Sequence, residues 1–262
     1  MFDTGVGGLT VLAELRKVLP AAPVILASDY AGIPYGKKTE AEVAARVAGL
    51  LGRMSERFEP RLACIACNTA STIALGMVRE VLEIPIVGTV PAIKPAALSS
   101  ESGVIGMLGT AATVRQPYVD NLEREFVQDG TLLRYAAPDL VDEAENKLRG
   151  KPVDLDIIAA AFGGLAALDP DRRVDRIVLG CTHFPLLEDE LRMVAGSNFG
   201  YSEKLQFIDG AAGIARRVAT LLEGQEFAAN AVSRAVTTGP LEAFEELKGV
   251  FSAQAIDHIE RF

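Results

Sequence analysis

Short apolar runs alternate with amphipathic stretches along the whole chain. The apolar runs predict buried β-strands and comprise VILAS (24–28), LACIA (62–66), IPIVG (84–88), GVIGML (103–108), RIVLG (176–180) and LQFID (205–209). Four other stretches carry apolar residues at three- and four-residue steps and predict helices over 9–19, 40–54, 72–82 and 213–224. Strands that alternate with helices are typical of parallel sheets covered by crossover helices. The pattern therefore predicts an α/β fold.

A short sequence pattern that occurs twice indicates two similar domains. An apolar strand followed by a cysteine and a short polar turn occurs as LACIACNTAS (62–71) and again as RIVLGCTHFP (176–185). Two prolines follow a predicted strand within VPAIKPAAL (90–98). We predict one domain formed by residues 1–90 and 206–262 and a second formed by residues 91–205. Each is expected to be a mostly parallel sheet covered by helices, and the two similar halves are expected to face each other across a cleft.

The charge and cysteine content of the chain indicate which kinds of binding partner to expect. The chain has 26 Lys and Arg against 35 Asp and Glu, a formal net charge of -9, which opposes broad contact with nucleic acid or anionic lipid. Three cysteines are too few for a disulfide scaffold and fit a reducing compartment. No basic segment followed by an apolar run opens the chain, and no apolar stretch reaches about 18 residues. We therefore expect a cytoplasmic protein with no membrane span and no nucleic-acid partner.

The spacing Cys64-x-x-Cys67 raises the question of a metal or redox pair. With Cys181 and His183 these cysteines supply four ligands of the type that zinc prefers, and a thioredoxin-like pair is a second alternative. Side chains alternate across a strand, however, so residues three apart tend to point to opposite faces. We therefore expect no metal site, and Cys64 is most simply a small buried apolar residue.

Cys67 and Cys181 differ from Cys64 because each stands where a predicted strand ends and a polar turn begins. Open α/β sheets bind their ligands at the carboxyl ends of parallel strands. A thiol beside a helix N-terminus is also favoured as thiolate. His183, two residues beyond Cys181, is placed to act as a proton partner or as a hydrogen-bond donor. The alternative is that both cysteines are buried structural residues.

Two glycine-containing turns also precede predicted helices. The first, FDTGVGG (2–8), leaves room for only a very short strand before it, or the strand begins upstream of this sequence. Its Asp-Thr-Gly occurs singly, without the facing partner of an aspartic protease, and its glycines do not fit a dinucleotide-binding fingerprint. With LGTAATV (108–114) it favours a small-anion site made of backbone N–H groups. Alternatively, Thr110 and Thr113 only cap a helix.

Taken together, these motifs resemble the glutamate racemase family. The resemblance is carried by FDTGVGGLTVL (2–12), IPYGKKT (33–39), IACNTAS (65–71) and LGCTHFPLL (179–187) and extends over nearly the whole chain. It implies interconversion of L- and D-glutamate without a cofactor, on two α/β domains with the site between them. D-glutamate is a precursor of peptidoglycan in that family. We also expect a homodimer.

The resemblance implies a role for individual residues. Cys67 and Cys181 become the two acid/base thiols, with Asp3 supporting Cys67 and His183 supporting Cys181. A further acidic helper maps to Glu145 in AAPDLVDEAE (136–145), with Glu143 as the alternative. The implied substrate contacts are Asp3, Thr4, Tyr35, Gly36, Asn68, Thr69, Thr110, Thr113, Thr182 and His183.

Two other functions fit the same residues. Aspartate racemases also carry paired cysteines, although an acidic residue commonly follows their second Cys-Thr, where this chain has His183. A protein that only senses an amino acid on the same fold is the non-enzymatic alternative. The presence of both thiols together with their acid/base partners argues against it.

Overall fold

The computed structural model describes residues 1–228 and 231–262 as two compact units. The first unit comprises Met1–Thr89 and Ala211–Phe262, and the second comprises Val90–Gly210.

The first unit contains a six-stranded sheet whose described pairings are all parallel. Its strands are β1 (Phe2–Asp3), β2 (Ile25–Ser28), β3 (Ala63–Ile65), β4 (Ile86–Gly88), β9 (Arg234–Thr237) and β10 (His258–Arg261), in the spatial order β10-β9-β2-β1-β3-β4. Its helices are α1 (Leu9–Val18), α2 (Glu40–Phe58), α3 (Asn68–Val81), α10 (Ala211–Leu221), α11 (Glu242–Glu245) and α12 (Lys248–Ser252). Short 3-10 turns occur at Tyr30–Gly32 and Tyr35–Lys37.

The second unit contains a four-stranded sheet whose described pairings are also parallel. Its strands are β5 (Val104–Gly109), β6 (Thr131–Ala136), β7 (Arg176–Gly180) and β8 (Gln206–Ile208), in the spatial order β6-β5-β7-β8. Its helices are α4 (Ile93–Ser99), α5 (Ala111–Val114), α6 (Pro117–Phe126), α7 (Leu140–Leu148), α8 (Leu155–Ala167) and α9 (Glu188–Phe199), with a 3-10 turn at Phe184–Leu187.

The predicted α/β fold is confirmed, and all six predicted strands are present with ends shifted by no more than two residues. Helix α3 begins at Asn68 rather than at residue 72, because Cys67 caps it. Helix α2 continues to Phe58, beyond the predicted end at residue 54.

The division into units differs from the predicted one at both boundaries. Val90 belongs to the second unit, and so do residues 206–210, which the sequence-based division placed with the first. The physical reason is strand pairing: β8 lies beside β7 in parallel, with Ile177 opposite Phe207. The chain therefore returns to the first unit only at Ala211.

Helix α2 illustrates why these segments form helices. Thr39 accepts a hydrogen bond from the backbone N–H of Glu42, and the Glu42 side chain accepts one from Thr39 in return. Such a capping box stabilises a helix start by about 1 kcal/mol. The buried residues of α2 recur at helical spacing and are Val43, Val47, Leu50, Leu51 and Met54. One face of α2 therefore packs on the core of the first unit.

The second unit is built around two fully buried strands. Every residue of β5 and β7 is buried, and helices α7, α8 and α9 contribute to the same apolar cluster. Phe162 lies in this cluster with its ring centroid 5.3 Å from that of Tyr201, in edge-to-face geometry. Among the helices of the described ranges, none is long and apolar enough to cross a membrane.

Gly180, the last residue of β7, provides a test of this packing. A Cβ at this position would lie 2.8 Å from Met107 Cε and 3.0 Å from the backbone oxygen of Leu108. We expect Gly180→Ala to lower the free energy of unfolding by about 1–3 kcal/mol, the usual cost of overpacking. The matched control is Gly196→Ala in α9, where a Cβ meets no atom within 4 Å. This substitution should raise the free energy of unfolding by about 0.5–1 kcal/mol, because alanine favours a helix more than glycine does. Urea denaturation of both variants measures the difference, and equal effects would contradict the packing described.

Candidate active site

In the first unit, the strand register gathers polar residues at one edge of the sheet. Asp3 in β1 lies opposite Ser28 in β2, and Phe2 lies opposite Ile65 in β3. Thr4 and Asp29 come directly after β1 and β2, and Cys67 comes two residues after the end of β3. Carboxyl ends of parallel strands are where α/β sheets place their ligands.

Cys67 occupies the N-cap position of α3. Its Sγ accepts a hydrogen bond from the backbone N–H of Ala70 at 3.5 Å, and Thr4 Oγ1 lies 3.9 Å from the same sulfur. The side chain is buried. The backbone donor, together with the positive end of the helix dipole, favours negative charge on this sulfur.

Asp3 is fully buried and organises the glycine turn before α1. Its Oδ1 accepts from the Thr4 backbone N–H at 2.6 Å, and its Oδ2 accepts from the Gly8 N–H at 2.5 Å. Two of the amides predicted to hold an external anion are therefore bonded to the chain's own carboxylate. Thr4 Oγ1 lies 3.4 Å from Asp3 Oδ1, so the Thr4 hydroxyl bridges Asp3 and Cys67.

Asp29, which the sequence analysis did not single out, anchors the turn that carries Tyr35. The Tyr35 hydroxyl donates to Asp29 Oδ2 at 2.7 Å, and Thr238 Oγ1 donates to Oδ1 at 2.6 Å. Arg46 holds both carboxylate oxygens through Nε and Nη2. A signal was available, because Asp29 comes directly after a predicted strand, at the end of the sheet where ligands bind.

The charges in this network are stabilised by their hydrogen bonds. Burial alone would raise the pKa of Asp29, but hydrogen bonds from Arg46, Thr238 and Tyr35 outweigh it and lower that pKa. Burial, followed by the hydrogen bond to the Asp29 carboxylate, raises the pKa of Tyr35 far above its usual range. Tyr35 is therefore a neutral donor, and its hydroxyl is committed to Asp29.

In the second unit the register again aligns two strand ends. Gly109 of β5 lies opposite Gly180 of β7, so Thr110 and Cys181 follow neighbouring parallel strands at the same edge. Thr110 caps α5, because its Oγ1 accepts from the Thr113 N–H at 3.2 Å. The two threonine hydroxyls lie 3.0 Å apart. The capping role considered for Thr110 from the sequence is thus present.

Cys181 and His183 are in direct contact. His183 Nδ1 lies 3.8 Å from Cys181 Sγ, and both side chains are buried. The other ring nitrogen, Nε2, lies 2.9 Å from Glu145 Oε1 on α7. A buried thiol, an imidazole and a carboxylate therefore form a continuous line, an arrangement that can move or hold a proton.

The geometry distinguishes the two candidate acids on α7. Glu145 contacts His183, whereas Glu143 Oε2 accepts from the Asp154 N–H at 2.7 Å, at the start of α8. Glu145 Oε2 also pairs with Arg149 Nη1 at 2.7 Å. Arg149 was missed from the sequence, although the spacing of four residues between Glu145 and Arg149 on a helix is typical of an ion pair.

These contacts determine the protonation of His183. Burial alone would lower its pKa, but the hydrogen bonds to Cys181 and Glu145 raise the pKa of His183 well above the ordinary value. His183 therefore stays protonated at a pH at which an unperturbed histidine, with a pKa of about 6.5, is already half neutral.

The remaining candidate residues lie close to the two cysteines in sequence and are largely buried. Asn68 and Thr69 form the first turn of α3, directly after Cys67, and Thr182 stands between Cys181 and His183. Asn68 Oδ1 is buried and has no hydrogen-bond partner among the described residues. A buried, unsatisfied carbonyl oxygen is destabilising unless a ligand or water bonds to it.

Cys64 lies in different surroundings. It lines a cavity of about 550 Å³ in the first unit together with apolar residues such as Val11 and Leu15. Val24 of the segment before β2 and Leu62 before β3 also line it, which places the cavity at the amino-terminal edge of the sheet. Burial raises the pKa of Cys64 to about 11. Cys64 is thus a protonated, apolar residue at neutral pH.

The ligands considered for zinc are divided between the two units. Cys64 and Cys67 belong to the first and Cys181 and His183 to the second, and all three cysteines are free thiols. Within residues 1–228 and 231–262, no group of three or more His, Cys, Asp or Glu side chains is positioned to hold a metal ion.

Comparison with known proteins places the chain among racemases. Residues 10–218 match the family described as Asp/Glu/Hydantoin racemase. The chain is 57% identical over 231 residues to the glutamate racemase of Sphingopyxis alaskensis, covering 88% of this chain and 84% of that protein. It is 43% identical over 224 residues to the glutamate racemase of Salmonella paratyphi A, covering 85% of this chain and 76% of that protein.

Solved structures give the same result for the fold. The crystal structure of Escherichia coli glutamate racemase in complex with L-glutamate and the activator UDP-MurNAc-ala aligns with a TM-score of 0.88 at 37% identity, covering 100% of this chain and 96% of that one. Glutamate racemase isoform RacE1 from Bacillus anthracis aligns with a TM-score of 0.81 at 27% identity, covering 98% and 94% of the two chains.

Nuclear magnetic resonance of the histidine rings tests the contact between His183 and Glu145. The chain has two histidines, His183 and the exposed His258, so assignment needs only one variant. We expect Glu145→Gln to lower the pKa of His183, because it removes the negative charge that favours the imidazolium. Glu143→Gln, on the same helix, should leave it unchanged. Equal shifts in the two variants would refute the assignment of Glu145 as the partner of His183.

Proposed function

The chain belongs to the Asp/Glu/hydantoin racemase family, and we propose that it interconverts L- and D-glutamate without a cofactor. The resemblance to glutamate racemases that the motifs indicated is confirmed. The observation that carries the proposed mechanism is the matched placement of Cys67 and Cys181. Each follows a parallel strand at its carboxyl end, and each has its own hydrogen-bonding partners.

Racemisation requires acid/base groups that reach both faces of the α-carbon. One thiolate removes the α-proton, the electron pair of the broken C–H bond stays on the substrate, and a thiol returns a proton from the opposite face. The first sulfur ends as thiol and the second as thiolate. The reverse reaction uses the same two groups with their roles exchanged. The number of protons is therefore conserved, and no redox step occurs.

We assign opposite directions to the two thiols, as the family resemblance implies. Cys67 takes the proton from D-glutamate, with Thr4 and Asp3 beside it. Cys181 takes the proton from L-glutamate, with His183 and Glu145 behind it. The 3.9 Å contact of Thr4 with Cys67 and the 3.8 Å contact of His183 with Cys181 support this pairing of helpers.

Substrate binding is proposed for residues near the two strand edges. Asn68 Oδ1, buried and unpartnered among the described residues, is suited to accept a hydrogen bond from the substrate ammonium. The Tyr35 hydroxyl is bonded to Asp29, so the contact from Tyr35 and Gly36 would come from their backbone amides. We propose further contacts with the substrate from five threonines, Thr4, Thr69, Thr110, Thr113 and Thr182. Asp3 and His183 complete the proposed set.

The negative charge that develops on the substrate is the main energetic obstacle. An amino acid with an ionised carboxylate is a very weak carbon acid, so the transition state needs preorganised donors around that carboxylate. Backbone N–H groups at the starts of α3 and α5, together with buried hydroxyls, are donors of this kind. Exclusion of water would strengthen each of these hydrogen bonds.

The product places the reaction in cell-wall synthesis. In glutamate racemases D-glutamate supplies peptidoglycan, and the names of the relatives favour glutamate over aspartate as substrate. The cytoplasmic location and the homodimer stay predictions from the sequence. Sedimentation equilibrium of the purified chain tests the dimer, and a monomer mass at micromolar concentration would contradict it.

Cysteine variants test the assignment of the two thiols. We expect Cys67→Ser and Cys181→Ser each to lower kcat/KM by at least about 10²–10⁴, because a hydroxyl is a far weaker acid than a thiol. Since the two enantiomers have equal free energies in solution, each loss must be the same in both directions. Cys64→Ser is the matched control and should keep most activity. Circular dichroism of both enantiomers measures the rates, and a folded but inactive Cys64 variant would overturn the assignment.

Reaction in deuterated water tests proton exchange. We expect each product enantiomer to carry one solvent deuterium at the α-carbon, because the donating thiol exchanges with solvent before it protonates the substrate. Mass spectrometry of product isolated at low conversion measures the incorporation. Retention of the original hydrogen in the product would rule out a mechanism with two thiols.

A further inference from the structure

Arg149 stands at the end of α7 and folds back onto its own helix. Its Nη1 donates to the backbone oxygen of Glu145 at 2.8 Å and to Glu145 Oε2 at 2.7 Å. Only 11% of the Arg149 side chain is exposed. The ion pair is therefore shielded from solvent, unlike the exposed pairs that contribute little to stability.

The Glu145 carboxylate is shared between two partners. Oε2 faces Arg149, whereas Oε1 lies 2.9 Å from His183 Nε2. With one oxygen fixed by the guanidinium, rotation of the carboxylate is restricted, and the other oxygen is aimed at the imidazole. Partners of this kind, one step behind the reacting group, orient the groups in front of them.

The signs of charge alternate along the line that ends at Cys181. Arginine keeps its proton at any pH at which the protein is folded, so it favours the ionised form of Glu145. Ionised Glu145 favours imidazolium at His183, and imidazolium favours thiolate at Cys181. Each member supports the charge of the next, at contact distances of 2.7, 2.9 and 3.8 Å.

We propose that Arg149 is a positioning residue for the racemase reaction: it fixes Glu145 against His183, the imidazole that contacts Cys181. The inference rests on the proposed function and deepens it. Arg149 touches none of the reacting atoms in this scheme and acts only through Glu145 and His183.

The other charged groups near this line make other contacts or, like Asp142 of α7, are exposed. On α7, Glu143 accepts from the backbone of Asp154, and Lys147 pairs with Glu190 of α9 at 2.8 Å. The turn Phe184–Leu187, which packs against α7, has no ionisable side chain, and Glu188 after it pairs with Arg192. The remaining acidic groups at the start of α8 are Asp154, which caps that helix, and the exposed Asp156. Glu145 itself contacts His183 on one side and Arg149 on the other.

A simpler role for Arg149 is a helix cap. Its bond to the Glu145 backbone oxygen satisfies one of the last carbonyls of α7, and a cation is favourable at this end of the helix dipole. That role predicts a loss of stability in Arg149 variants but no change in how activity depends on pH. The pH profile therefore distinguishes a cap from a positioning residue.

The test is the pH profile of kcat/KM for the full chain. In Arg149→Met the line of charged groups behind Cys181 loses its outer cation, so we expect the acidic limb to move to higher pH, with kcat/KM lowered about tenfold on that limb and little changed at the optimum. This is a small part of the 10²–10⁴ that positioned acid/base groups contribute. Arg149→Gln, which keeps a donor but not the charge, should move the limb in the same direction. Arg149→Lys, which keeps the charge, should retain the wild-type limb.

Lys147→Met is the matched control, because it removes a cation from the same helix that pairs with Glu190 instead. Thermal unfolding of each variant separates stability from protonation. The proposal is overturned if the acidic limb of the pH profile stays at its wild-type position in both Arg149→Met and Arg149→Gln. It is also overturned if the limb moves as far in Arg149→Lys as it does in Arg149→Met. A wild-type chain that racemises neither enantiomer refutes the proposed function instead, so the two failures are distinct.

Discussion

The parallel register of the strands is the constraint on which the candidate site depends. Gly109 lies opposite Gly180, and Asp3 lies opposite Ser28, so each polar turn begins at the same level as its neighbour. Because side chains alternate along a strand, a shift of one residue would move Cys181 to the other face of the sheet. Close packing opposes such a shift, since the position of Gly180 leaves no room for a Cβ beside the Leu108 backbone.

The same register gives the two sulfurs unlike surroundings. Cys67 receives a backbone N–H and lies near the hydroxyl of Thr4, so the groups around this sulfur are neutral dipoles and the start of α3. Cys181 instead faces an imidazole that is held protonated by a buried carboxylate. Dipoles keep their strength at any pH, whereas the support of His183 lasts only while the imidazolium keeps its proton.

The sequence predicted the parts of the fold that are set by local burial. Runs such as RIVLG and GVIGML are buried on both faces and so stand out as strands, whereas β6 (Thr131–Ala136), an edge strand with a paired Arg134, does not. Which sheet a strand joins is not a local property, and the sequence therefore did not indicate that β8 pairs with β7 of the second unit.

For the candidate site, the sequence indicated side chains that carry chemistry but not those that hold them in place. Cys67, Cys181 and His183 stand out because few residue types perform proton transfer and because each follows a predicted strand. Asp29 and Arg149 are ordinary charged residues until their partners are known. Their roles depend on contacts with Tyr35 and Glu145 that only the folded chain brings about.

A thermodynamic condition connects the two unlike sulfurs. L- and D-glutamate have equal free energies in solution, so the enzyme must serve both with the same kcat/KM, and it alternates between two protonation forms. One form has thiolate at Cys67 and thiol at Cys181, and the other has the reverse. A helix terminus and a hydroxyl adjoin one sulfur, whereas a chain of charged groups that ends at Arg149 adjoins the other, so the two forms depend on different interactions of the folded chain.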